Sequence, residues 1–404
     1  MARRVLFPPP VAHTGSLGFS RLGPYSVVRR LGKGGMAQVF LARAGHGPFA
    51  REVALKVLDQ QEAAEDLTEL FLTEARVVAL LQHPNIASVL DVDIDDGTLY
   101  LAMEYVDGVD LRELMVACLD RKELPSYEVA LAIIVQAATG LDHAHRRCDA
   151  DGRPLHLVHR DVSLTNIMVT HDGGVKVVDF GIARSTLSSN RTLPGTVRGK
   201  PSYMAPEQCL GEGVDHRADV FALGVVLYEL TTGVRCFEGA TDFDRMLAVV
   251  RGTFQIPSTI LPDFPADLEH VILTALASDP DQRYASCAAL VAALEAILRE
   301  RGWAGGASAI RRVMQLVFAD AHEVVAPLQP PAPVEPPASV PPPTVRGRRL
   351  ARGSSTDLAL DDQITAGRRS VKRIVSVLPN VHETFDDDRV FQGSNSERHR
   401  DAGL

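Results

Sequence analysis

The stretch His156–Gly181, HLVHRDVSLTNIMVTHDGGVKVVDFG, decides the fold of this 404-residue chain. Two apolar runs, Ile167–Val169 and Val175–Val178, flank Asp172-Gly173-Gly174, the residue types of a tight turn, and together predict a β-hairpin. Asp161 precedes the first strand, Asp179 follows the second, and Asn166 lies between them. A hairpin brings its ends together, so two carboxylates and a carboxamide converge on one small volume. Carboxylates that close repel unless a cation or a proton neutralises them. The stretch therefore predicts a divalent metal.

The rest of the chain narrows the class. Hydrophobic residues make up 46% of it, ample for a large core. The formal net charge of −9 argues against wholesale nucleic-acid binding, which shows a basic footprint. Cys118, Cys148, Cys209, Cys236 and Cys287 include no CxxC pair, which suits a reducing compartment. Arg3 and Arg4 precede a short run broken by Pro8-Pro9-Pro10, without the apolar core of a secretory signal. Val220–Leu230 is too short to span a bilayer and reads as a buried helix. A soluble, cytoplasmic protein with no membrane partner is expected.

Upstream, YSVVRRLGKGGMAQVFLARA from Tyr25 reads as two strands joined by a glycine turn. Gly32, Gly34 and Gly35 let backbone amides approach a phosphate closely, and the strand that follows disfavours a dinucleotide-binding βαβ unit. Val53–Leu58 alternates as a strand that puts Lys56 on one face with Ala54 and Leu58. Next, Asp66 and Glu69 form a capping signature, and Leu67, Leu70, Phe71, Val78 and Leu81 recur at helical spacing. Glu74 falls inside that stripe and needs a cation, for which Lys56 is the obvious partner. Two further strands turn at Asp95-Asp96-Gly97, and Pro125–Arg147 reads as a long helix capped by Ser126. Cys148–Leu157 reads as a polar surface insertion, and Ala309–Glu323 as one extra helix. From Ala326, PLQPPAPVEPPASVPPPT predicts a polyproline-II spacer, and residues 346–404 a disordered tail.

These motifs, in this order, resemble the protein kinases of the bacterial Hanks type, which are eukaryotic-like serine/threonine kinases. HRDVSLTN resembles the catalytic loop H-R-D-x-x-x-x-N, Asp179-Phe180-Gly181 the D-F-G, and Ala205-Pro206-Glu207 the A-P-E. The glycine loop resembles G-x-G-x-x-G-x-V at Gly32, Gly34 and Val39, with Ala37 at the third glycine. The resemblance implies an α+β fold of two lobes: a small, mainly-β N-lobe (24–106) with helix C, and a larger, mainly-α C-lobe (107–302). Around it would lie a flexible leader (1–23), an extra helix (303–325), a Pro-rich linker (326–345) and the tail. It implies ATP and Mg²⁺ as cofactors and protein substrates, among which the chain itself can be one, with no nucleic acid or membrane. Asp161 would accept the attacking hydroxyl's proton, Asn166 and Asp179 would hold Mg²⁺, and Lys56, paired with Glu74, would hold the α- and β-phosphates. Leu31, Gly32, Lys33, Gly34, Gly35, Val39 and Ala54 would cover the nucleotide. Met103 would be the gatekeeper, Glu104 and Tyr105–Val106 the adenine hinge, and Asp110 the ribose contact. Glu207 would pair with Arg283, and Asp219 would brace the catalytic loop from below. Residues 182–204 would be an activation segment, with Arg160 placed to clamp a phosphate on it.

Two positions depart from the family. Serine/threonine kinases normally carry lysine two residues after the catalytic aspartate, where this chain has Ser163. They normally carry threonine where it has Lys200. One cation is lost and another gained at positions expected to be neighbours, so Lys200 is expected to reach the γ-phosphate. Intact Lys56, Asp161, Asn166 and Asp179 favour an active serine/threonine kinase over a pseudokinase scaffold that signals by binding. The A-P-E segment favours a protein substrate over a small-molecule one.

Overall fold

The computed structural model describes residues 20–33, 37–45, 47–58, 75, 78–149, 151–180 and 200–318. The expectations for Gly34, Gly35, Glu74 and its helix, the stretch 181–199, the Pro-rich linker and the tail lie outside these residues. Among the described residues no helix is long and apolar enough to cross a membrane.

The N-terminal part is an antiparallel sheet of β1 (Arg21–Leu22), β2 (Tyr25–Lys33), β3 (Ala37–Ala44), β4 (Arg51–Leu58), β5 (Val89–Asp95) and β6 (Thr98–Glu104). Its order is β1-β2-β3-β4-β6-β5. Side chains alternate across a sheet, so register decides which residues share a face. Lys56 stands opposite Val39 and Leu101, and Ala54 opposite Leu41 and Met103. Val39, Ala54, Lys56 and Met103 therefore share one face. The other face builds its own core from Tyr25, Phe40, Ala42, Val53, Leu55, Val57 and Tyr100, with Tyr25 edge-on to Tyr100 at 5.8 Å. Burying that face leaves the first one on the side where Lys56 meets Asp179.

The chain leaves this sheet through β7 (Gly108–Asp110), which pairs with the predicted hairpin, β8 (Ile167–Thr170) and β9 (Val175–Val177). Gly108 is required there, because a Cβ would lie 2.1 Å from the Val169 carbonyl oxygen. Gly173 makes the hairpin turn at φ +90°, a conformation that L side chains rarely adopt.

Helices form the rest. α1 (Leu111–Asp120) and α2 (Tyr127–His145) come before the hairpin; Ser126 caps α2 by accepting from the Val129 N–H at 3.4 Å. After it come α3 (Pro206–Leu210), α4 (Arg217–Thr232), α5 (Asp242–Arg251), α6 (Pro257–Ile260), α7 (Ala266–Ala275) and α8 (Cys287–Glu300). The apolar run that reads as a buried helix is α4, buried on nearly every side. The extra helix, α9 (Ala307–Phe318), buries Ile310, Met314 and Val317. Arg311 Nε donates to the Asp172 carbonyl at 3.0 Å, tying α9 to the hairpin turn.

Glu207 and Arg283 meet as expected, in a forked pair with two 2.7 Å hydrogen bonds, both residues about 5% exposed. Arg283 also donates to the carbonyls of Ala277 and Ser278, and its guanidinium lies 5.0 Å over the Phe221 ring. Removing one partner of a buried pair strands the other's charge. Arg283→Met should therefore cost about 3–5 kcal/mol and lower the Tm by roughly 6–20 °C. Thermal unfolding checks this, with the double variant Glu207→Leu/Arg283→Met expected to lose less.

Candidate active site

The hairpin and β4 bring the predicted polar residues together. Lys56 Nζ donates to Asp179 Oδ1 at 3.2 Å, across 123 residues of sequence. The Lys56 ammonium holds the Asp179 carboxyl below the usual carboxylate range, against the opposing effect of burial. Asn166 Nδ2 donates to the Asp161 carbonyl at 2.8 Å and to Asp161 Oδ2 at 2.9 Å. The Val178 N–H donates to the Asn166 carbonyl at 3.0 Å, closing the hairpin just before Asp179. Asp161, Asn166 and Asp179 thus hang from one small frame.

His159 ties that frame from inside. Its Nδ1 accepts from the Asp161 N–H at 3.2 Å, and its Nε2 lies 3.0 Å from the Val178 carbonyl. Burial lowers its pKa, and a neutral ring with the proton on Nε2 satisfies both contacts. The Phe180 ring packs on it at 4.6 Å. Arg160 and Asp179 have φ of +63° and +55°, a region costly for residues other than glycine. Asp219, at the start of α4, holds the first in place. Its Oδ1 accepts from the Arg160 N–H at 2.9 Å, and its Oδ2 from the His159 N–H at 2.8 Å. His145 Nε2 completes the shell at 2.7 Å.

Lys200 points into the catalytic loop. Its Nζ lies 2.8 Å from Ser163 Oγ, against Thr165 Oγ1, and 3.5 Å from Asn166 Oδ1. Other expected residues carry structural duties as well. The Glu104 carboxylate pairs with Lys176 at 2.9 Å and accepts from the Ser88 N–H at 3.2 Å. Asp110 caps α1 by accepting from the Glu113 N–H at 2.8 Å, and burial raises its pKa. Leu31, Gly32 and Lys33 end β2, and Val106 is buried where the chain leaves the sheet.

Some contributors were not read from the sequence. Gln208 caps the Ala205 N–H through Oε1 and donates to the Arg160 carbonyl at 3.2 Å. Lys176 looks like an ordinary outward residue of an alternating strand, because its partner is 72 residues away. The only signal for His145 was its place at the end of a long helix.

Residues 25–294 match the family described as the protein kinase domain. The chain belongs to the protein kinase family. It is 41% identical to the tyrosine-protein kinase MasK of Myxococcus xanthus, over 70% of this chain and 44% of the relative. It is 36% identical to the serine/threonine-protein kinase PrkC of Bacillus subtilis, over 65% of this chain and 38% of that one. These matches span less than half the length of either relative. Among solved structures, the PknI kinase domain of Mycobacterium tuberculosis is 34% identical with a TM-score of 0.52, covering 68% of this chain and 97% of that one.

The kinase site suits a hard divalent cation. Asn166 and Asp179 offer oxygen donors, while no cluster of three His, Cys, Asp or Glu residues forms a protein-only cage among the described residues. Mg²⁺ takes one or two protein oxygens and fills its shell with phosphates and water, so the donor set fits.

Asp219 sets a pH dependence. Despite burial, which acts the other way, hydrogen bonds and the nearby histidines hold its carboxyl below the ordinary range. Its stabilisation is therefore complete above the unfolded pKa of about 4 and is lost as pH falls through the lower folded value. The stability gap between wild type and Asp219→Asn should be full at neutral pH and narrow below about pH 4. Denaturant unfolding across that range measures it; a gap constant throughout would refute the assignment.

Proposed function

We propose that this kinase transfers the γ-phosphoryl group of ATP to serine and threonine hydroxyls of proteins, itself included, under control of its activation segment. The observation that carries this reading is the contact of Lys56 with Asp179 beside the bonded pair Asp161–Asn166. Lys56 anchors the α- and β-phosphates, and the face holding Val39, Ala54 and Met103 receives the base. Asp110 takes a ribose hydroxyl with the oxygen not used to cap α1. Asn166 and Asp179 would hold Mg²⁺, whose charge would offset that of the phosphates. Asp161, oriented by the Asn166 amide, accepts the proton of the attacking hydroxyl. Phosphoryl transfer needs little covalent help, so positioning and electrostatics suffice. Arg160, beside Asp161, would clamp a phosphate on the activation segment. The five cysteines, none of them disulfide-bonded, suit a reducing compartment such as the cytoplasm.

Choice of hydroxyl rests on the segment GKPSYMAPE (Gly199–Glu207) and on relatives named as serine/threonine kinases, PrkC and Pkn1 of Myxococcus xanthus among them. The match to MasK favours tyrosine instead. Phosphosite mapping by mass spectrometry after incubation with ATP and Mg²⁺ separates the two: phosphoserine and phosphothreonine support the proposal, and phosphotyrosine alone overturns it. Asp161→Asn should lower kcat by about 10²–10⁴-fold while ADP still binds. Lys56→Met should weaken nucleotide binding, measured by calorimetry with ADP.

A further inference from the structure

Among the described residues Lys200 bonds to no carboxylate. Its partners among the described residues are neutral oxygens: the hydroxyls of Ser163 and Thr165 and the amide oxygen of Asn166. A buried-edge ammonium so placed is set to receive negative charge brought from outside. Its neighbours say where that charge arrives. Asn166 Nδ2 holds Asp161 Oδ2, and Asn166 Oδ1 faces Lys200, so one amide links the proton acceptor to the ammonium. The positive charge of Lys200 also helps lower the Asp179 carboxyl, though less than Lys56 does.

The base of this side chain is firmly held. Lys200 starts the short 3-10 turn Pro201–Tyr203, and the Tyr203 N–H donates to the Lys200 carbonyl at 2.9 Å. Tyr203 OH donates to Glu229 Oε2 of α4 at 2.6 Å, while Pro201 and Ser202 are buried. Ser163 belongs to the catalytic loop, is 1% exposed and carries no charge. The cation therefore enters from the segment leading to Ala205-Pro206-Glu207, and not from the loop that holds Asp161.

We infer that Lys200 is the γ-phosphate cation of this kinase, so that transfer depends on the placement of the segment that carries it. This rests on the reading of the site as an ATP-dependent protein kinase. In the step, the substrate hydroxyl oxygen bonds to the γ-phosphorus, and the bond from that phosphorus to the β,γ-bridging oxygen breaks. The electron pair leaves with ADP, the hydroxyl proton passes to Asp161, and Lys200 keeps its proton throughout. Its ammonium offsets charge on the transferring group.

Four variants test this, with kcat on a protein substrate and calorimetric affinities for ADP and a non-hydrolysable ATP analogue. Lys200→Met should lose about 10–100-fold in kcat and lose its preference for the analogue while ADP binds as before. Ser163→Lys/Lys200→Thr, which moves the cation onto the catalytic loop, should restore kcat to within about fivefold of wild type. Tyr203→Phe, which removes the hydrogen bond to Glu229, should lower kcat in the wild-type background and much less in the exchanged one. An unchanged kcat or analogue preference in Lys200→Met, an exchange that binds ADP without recovering activity, or equal Tyr203→Phe losses in both backgrounds would each overturn the inference. An inactive wild-type protein would instead refute the proposed function itself.

Discussion

One buried carboxylate sets the geometry of the catalytic loop. Asp219 is 1% exposed and accepts from two successive backbone amides, those of His159 and Arg160, while His145 closes its remaining side. A carboxylate in a core is tolerable only when hydrogen bonds replace its water. The loop amides supply those bonds and in return lose the freedom to relax. Arg160 can then persist at φ +63°, turning the chain so that Asp161 follows at the site. Because α4 is buried around its whole girth, the anchor cannot drift.

The second constraint is the register of the N-terminal sheet. Lys56 reaches Asp179 because β4 lies between β3 and β6 with its apolar partners on the opposite face. A slip of one residue would send Lys56 into the core of Tyr25 and Tyr100 and turn Leu55 outward. Val39, Ala54, Lys56 and Met103, from three strands, are thus placed by the same burial that makes the sheet stable. The hairpin β8–β9 does the corresponding work below, gripped at its turn by Arg311 of α9.

On the inference drawn above, Lys200 keeps a charge of the family's site at a new address. Charge at a site matters by position and not by the chain segment that supplies it, so an ammonium borrowed from 37 residues downstream can stand against Ser163. The consequence is mechanical. A cation built into the catalytic loop is always present, whereas one delivered by a neighbouring segment is present only when that segment is seated.

Local chemistry made much of this legible in the linear chain. Asp172-Gly173-Gly174 between apolar runs can hardly be anything except a turn, Ser126 could cap only the helix that follows it, and the unbroken apolar run of α4 had to be buried. Asp161, Asn166 and Asp179 were readable because a hairpin brings its own ends together, whatever else folds around it. Long-range pairing was not readable in this way. That Lys176 takes the Glu104 carboxylate and that Gln208 holds the Arg160 carbonyl depend on distances set by packing between remote elements. Sequence by itself determines which groups want partners; the tertiary structure decides which partner is within 3 Å, because only the closed core fixes the separation of elements that no short turn connects.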